Sequence, residues 1–217
     1  MKDEKPSVKH TIEAIGIPHT EVNVILVNGR SVDFSYSIIN NDRLEVYPVG
    51  YTIPNAKIIF LSQQPSYPIK FIADVHLGKL AKKLRLLGFD IFYKNYMDDK
   101  ELVETALKEH RVLLTRDVVL LKHKLLSQAY FIRSVIVDRQ LEEVIERFQL
   151  KHQLHPFARC VECNGKIVAV AKDAVMDRLL PKTKLFYNEF YQCTCCERIY
   201  WKGSHYEQIQ EFLRTIL

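Results

Sequence analysis

The chain has 217 residues, 47% of them hydrophobic and 26% charged, which are the proportions of an ordinary globular protein. It has no apolar run of about 18 residues, so no membrane span is expected. Met1–His10 lacks an apolar core of the secretory type, so a cytoplasmic location is expected. The formal charge is +5, and the positive excess lies late in the chain: 6 basic and 7 acidic side chains over residues 1–68, 15 and 12 over 69–150, 10 and 7 over 151–217. That balance suits a polyanionic partner and equally suits a solvated surface.

Residues 1–50 read as a small α/β piece. Ser7 is a cap ahead of an apolar helical spacing that Gly16 stops. Val22–Val27 is a β-rich run, and the turn pair Asn28-Gly29 leads into Val32 and Phe34. Leu44–Tyr47 makes a last short strand. Residues 51–68 carry Pro54, Pro65 and Pro68 and read as a linker. Residues 69–150 then alternate. Strands are expected at Ile69–Ala73, Ile91–Tyr93, Val112–Thr115 and Ile132–Val137. Helices are expected on Leu77–Leu87 (ended by Gly88), Asp98–His110, Val118–Gln128 and Leu141–Phe148. The class is α/β, with a parallel sheet of about four strands flanked by helices. Residues 151–217 hold every cysteine, a β-like Lys166–Val170 and a helix near Tyr206–Leu217.

Cys160-x-x-Cys163 and Cys193-x-x-Cys196 have the spacing of two metal knuckles, each placing two thiolates on one edge of a tetrahedral ion. Structural zinc is the expected occupant. Disulfides and an iron–sulfur cluster are the competing readings, and the first is opposed by a cytosolic setting. Cys195 is left over and reads as a small packed residue. A closed four-thiolate site has no open position for catalysis, so chemistry is expected elsewhere.

Ligands of open α/β sheets bind beyond the carboxyl ends of the strands. Asp74 ends the first strand and Asp117 the third, while Asp98, Asp99 and Glu101 open the helix after the second. Clustered oxygen ligands suit Mg²⁺ or Mn²⁺, although each of these acids could instead cap a helix. Asp138, at the end of the fourth strand, is a candidate of the same two kinds. Lys79, Arg85 and Arg116 lie beside the acids in sequence, and Lys202 and His205 sit in an aromatic-basic segment. These five are candidate phosphate or RNA contacts.

The run Phe71-Ile72-Ala73-Asp74-Val75-His76-Leu77-Gly78-Lys79 through Gly88-Phe89-Asp90 resembles the opening of the Mut7-C ribonuclease domain. So do Asp98–Leu102, Leu114-Thr115-Arg116-Asp117 and the tail Cys193–His205. The resemblance covers residues 69–217. It implies a PIN-like fold, divalent-metal RNA cleavage and a fused zinc ribbon. It places the acidic site on Asp74, Asp99 and Asp117, with Asp98 and Glu101 beside them. Ser7–His10, Ile17–Val22 and Leu26–Gly29 resemble the ubiquitin-like β-grasp module that often precedes this domain. Only six residues precede Ser7, so a partial module is expected, one that another chain could complete at its sheet edge. The leading expectation is an endoribonuclease. The alternative is a non-catalytic RNA-binding adaptor using the basic helix and the zinc ribbon, and RNA is not distinguished from DNA by these spacings.

Overall fold

The computed structural model describes residues 5–48, 51, 53, 58–62, 65–203, 206–207 and 209–211. The chain divides into two compact units, residues 1–77 with 93–133 and residues 78–92 with 134–217, a division that does not follow the sequence segments.

The first unit begins with α1 (Val8–Ala14), capped by Ser7 Oγ, which accepts from His10 N at 3.2 Å. Strand β1 (Val22–Val27) is buried along its whole length because it is the middle strand of an antiparallel sheet, between β2 (Arg30–Val32) and β3 (Leu44–Pro48). Asn28 and Gly29 both take the left-handed conformation that a tight hairpin requires. Val8 and Ile12 of the helix bury with Val22, Ile25 and Val27 of the strand. The linker is partly fastened to this module: Leu61 N–H donates to the Asn23 carbonyl at 2.7 Å and Ile59 N–H to Ser31 Oγ at 2.9 Å. Pro54 lies outside the described residues.

A four-stranded sheet follows, built from β4 (Lys70–Ala73), β5 (Asp90–Phe92), β6 (Val112–Thr115) and β7 (Ala129–Phe131). The spatial order is β5-β4-β6-β7, and β4–β6 and β6–β7 are parallel. The chain leaves β4 toward one side and returns to place β6 on the other, so the strand order reverses between β4 and β6. Beyond the carboxyl ends of such a pair a sheet of this kind opens a crevice. Helices α2 (Gly78–Leu86), α3 (Asp99–Lys108) and α5 (Val137–Arg147) flank the strands in sequence.

Two expected elements differ. The helix expected over Val118–Gln128 is only α4 (Val118–Leu121). At its end and beyond it, the carbonyls of Leu121 and Leu126 accept from side chains of the N-terminal module, Thr20 Oγ1 at 3.5 Å and His19 Nε2 at 3.0 Å. The last strand falls at Ala129–Phe131 rather than Ile132–Val137, because its register pairs Ala129 with Leu113 and Phe131 with Thr115. Asp138 therefore lies in the first turn of α5 and pairs with Lys83. The module also makes contacts within its own chain. Glu21 Oε1 accepts from Phe131 N–H of β7 at 3.1 Å, Glu21 also pairs with Arg133, and Lys122 Nζ donates to the Glu13 carbonyl at 2.7 Å.

In the second unit, α2 and α5 pack together, and β8 (Ile167–Val170), β9 (Phe190–Cys193) and β10 (Ile199–Trp201) form an antiparallel sheet in the order β10-β9-β8. Two short helices, α6 (Lys172–Val175) and α7 (Pro181–Phe186), fill the long gap between the cysteine pairs, where sequence periodicity has too few residues to register them. Residues 206–207 and 209–211 are helical, and the rest of the expected C-terminal helix lies outside the described residues.

Candidate functional site

Asp74 follows β4 directly and is 6% exposed. Its N–H extends the parallel ladder by donating to the Leu114 carbonyl at 3.1 Å, which fixes the residue at the β4–β6 junction. Burying a carboxyl group requires partners. Oδ1 accepts from His76 N–H at 2.8 Å, and Oδ2 accepts from Arg116 N–H at 2.9 Å and from the Thr115 hydroxyl. Thr115 is fully buried, and its Oγ1 also accepts from Asp117 N–H at 2.9 Å. One hydroxyl thus ties the acid ending β4 to the acid following β6. Sequence reading missed Thr115. The available signal was a hydroxyl at the end of a strand whose other residues are wholly apolar.

The remaining acids are placed differently. Asp117 is exposed and caps α4, its Oδ1 accepting from Val119 N–H at 2.7 Å and Leu120 N–H at 3.4 Å. Asp98 caps α3, accepting from Glu101 N–H at 2.8 Å. Asp99 is the exposed first residue of α3, and the Glu101 carboxylate pairs with Lys94 at 2.7 Å. Among the described residues, the side chains that converge as a set of metal ligands are the four cysteines, and the acids are not drawn together to that degree.

The expected basic contacts also separate. Lys79 is exposed on α2. Arg85 is 2% exposed and turned inward, so it does not present a phosphate contact. Its guanidinium donates twice to the Ile91 carbonyl, both at 3.1 Å, and to the carbonyls of Val161 at 3.1 Å and Glu162 at 2.7 Å. Burial holds it below the usual arginine range, opposed by the nearby Cys160 and Cys163. Arg116 NH1 donates to the carbonyls of Ile132 and Arg133, both at 2.9 Å. Lys202 pairs with Glu189 at 2.7 Å. His205 lies outside the described residues.

The cysteine centre is built from two equivalent turns. In each, the residue after the second cysteine is left-handed (Asn164, φ 69°; Glu197, φ 57°), and its N–H returns to the carbonyl of the first cysteine, at 2.9 Å from Asn164 to Cys160 and 3.1 Å from Glu197 to Cys193. In each, the N–H of the first cysteine donates to the residue two beyond the second, Cys160 to Gly165 at 2.8 Å and Cys193 to Arg198 at 2.9 Å. The four ligand sulfurs lie within 4.8 Å of one another, with Cys160–Cys196 at 3.6 Å and Cys163–Cys193 at 3.3 Å. Sulfurs held about 2.3 Å from a tetrahedral ion stand about 3.8 Å apart, so the set fits a zinc ribbon. Strand β5 fastens the first turn from behind. Asp90 takes Asn164 Nδ2 at 2.8 Å and Arg159 at 3.1 Å, and Asn164 Oδ1 accepts from Ile91 N–H at 3.2 Å. Tyr200 OH lies 3.0 Å from Cys160 Sγ. Cys195 stays outside the ligand set, exposed, with its N–H on Cys193 Sγ at 3.4 Å.

With this arrangement in view, the comparisons can be placed. Residues 69–213 match the Mut7-C RNAse domain, and residues 1–53 match Mut7-C ubiquitin. The chain belongs to the Mut7-C RNAse domain family. No curated protein and no solved structure matches it. The Mut7-C RNAse match runs from one residue before β4 through the second cysteine turn, so it takes in both Asp74 and the four thiols. The ubiquitin match covers α1 and the three-stranded sheet. No helix among the described residues is long and apolar enough to cross a membrane.

Proposed function

We propose that this member of the Mut7-C RNAse family is a divalent-metal-dependent endoribonuclease whose reaction centre is Asp74. The observation that carries the reading is the buried Asp74 carboxylate at the strand-order reversal, held by Thr115, which ends the neighbouring strand, and by Arg116 just after it, with Asp117 next. Asp74 and Asp117, joined by Asp99, would be the oxygen donors for Mg²⁺ or Mn²⁺, and an all-oxygen set is the right donor chemistry for these ions. When bound, such an ion lowers the pKa of a water and neutralises charge developing on the phosphodiester. The protein's part is orientation. Three hydrogen bonds fix Asp74, with His76 Nδ1 a further 3.4 Å from Oδ1, and Asp117 keeps Oδ2 clear of its helix cap. Cleavage would leave 5′-phosphate and 3′-hydroxyl ends. The four cysteines hold structural zinc and take no part in the reaction.

The test is Mn²⁺-dependent cleavage of single-stranded RNA by the zinc-loaded protein, beside Asp74→Asn and Asp117→Asn. Activity should fall at least a hundredfold in Asp74→Asn. Undiminished cleavage by both folded variants overturns the assignment. The second reading, a non-catalytic RNA-binding adaptor, draws on Asp98 and Asp117 being engaged as helix caps. Tight RNA binding by a wild type that cleaves at no Mn²⁺ concentration decides for it.

A further inference from the structure

The second unit holds a cavity of about 530 Å³ that neither the thiolate centre nor Asp74 accounts for. It is within the range of about 300–1,000 Å³ of small-ligand pockets. Its walls are unusually aromatic: Phe157, Tyr191, Tyr200, Trp201 and Tyr206 all line it, together with Arg159 and Lys202. These rings are held in place rather than merely gathered. Tyr191 and Tyr200 are directly paired across β9 and β10, and the Tyr200 hydroxyl is anchored on Cys160 Sγ. Phe157 lies 4.7 Å from Tyr206, ring centre to ring centre, and its backbone is left-handed at φ 65°. A bulky side chain adopts that conformation only where its surroundings impose it, and such positions concentrate at ligand sites. Here the Phe157 N–H donation to the Leu86 carbonyl, at 3.0 Å, is part of what imposes it.

We propose that this cavity receives an unpaired nucleobase of the RNA strand, a proposal that rests on the ribonuclease reading for its choice of ligand and deepens it. Every base has a π-face that stacks on an aromatic ring, and stacking asks for no particular sequence. Of the two cations at the cavity, Arg159 is held by Asp90 and the Asn164 carbonyl, and Lys202 is the one that fits a phosphate beside a base. Lys202 is exposed, and its partner Glu189 is a surface acid that a phosphate can replace. A base in a duplex keeps its stacking neighbours and does not enter, so the site selects single strands.

Trp201 is the only tryptophan of the chain and lines this cavity, so its fluorescence, excited to the red of tyrosine absorption, reports on the cavity wall. The full-length, zinc-loaded protein is titrated with a short single-stranded oligonucleotide of RNA and with a blunt RNA duplex, without Mg²⁺ or Mn²⁺ so that nothing is cleaved. Saturable quenching is expected with the single strand and none with the duplex. Tyr191→Ala and Phe157→Ala should each weaken binding about tenfold, the size expected for losing one stacking ring, with zinc content unchanged. Trp201→Phe, followed by anisotropy of labelled RNA, should keep most of the affinity. No saturable quenching, equal quenching by duplex, or full affinity in both alanine variants at wild-type zinc content overturns the proposal. The ribonuclease reading fails separately. Asp74→Asn should quench like wild type, so cleavage without quenching removes only the pocket, and quenching without cleavage removes only the catalysis.

Discussion

Thr115 shows how much one side chain decides. Its hydroxyl donates to Asp74 and accepts from the Asp117 N–H, in a strand that is buried throughout. Thr115→Val keeps the shape and the β preference but strips a partner from a buried carboxyl and leaves an amide unsatisfied. The expected cost is about 1–3 kcal/mol of stability, read by urea denaturation, with ribonuclease activity falling further than stability because Asp74 loses its fixed orientation. Gly165 is as restrictive at the thiolate centre. A Cβ there would stand 2.7 Å from Cys193 Sγ and 3.3 Å from Cys163 Sγ, inside the space that two ligands occupy. Gly165→Ala should therefore lower zinc affinity at least tenfold in a competition titration with a chromophoric chelator, while Asp74→Asn leaves it unchanged.

At the level of elements, the runs that sequence located best were those whose burial is complete: β1 and β6 have the expected bounds, Val22–Val27 and Val112–Thr115. Caps were legible too, since Ser7, Asp98 and Asp117 each sit one residue before a helix and accept from its first amides. What was illegible depends on partners far away in the chain. The end of α4 and the segment after it are met by Thr20 and His19, about a hundred residues upstream, and the inward turn of Arg85 follows from carbonyls more than seventy residues downstream. Glu21 belongs to the same class. Its carboxylate both accepts from the Phe131 amide and pairs with Arg133, so it seals the outer strand β7 with a side chain instead of another strand. Sealing an edge in this way removes a template for unwanted pairing. Glu21→Ala should accelerate hydrogen exchange of the Phe131 amide by about tenfold, corresponding to about 1.4 kcal/mol, and unchanged exchange there would mean that the module does not hold β7.

Over the whole molecule, the four thiols lie in the second unit and Asp74, Asp99 and Asp117, the proposed oxygen donors, in the first, so zinc is expected to bind independently of any ion at the acids. The thiol set also carries its own dependence on pH. Burial raises Cys160, but the Tyr200 hydroxyl and the backbone N–H groups of Cys163 and Glu162 outweigh it and bring the thiol down to about 7. Burial and the neighbouring thiols push Cys196 up to about 12. Without metal, then, Cys196 keeps its proton throughout the neutral range, and Cys160 gains one as the pH falls through about 7. A dication needs thiolates and must displace those protons. Zinc binding should release protons at neutral pH, and its apparent affinity should rise with pH, falling most steeply on acidification below about 7. Calorimetric titration of the metal-free protein in buffers of different ionisation enthalpy measures the release directly. Tyr200→Phe removes a donor that favours the Cys160 thiolate, so it should move that acid limb upward in pH, and an unmoved limb would show that the hydroxyl contributes nothing to the ligand's charge.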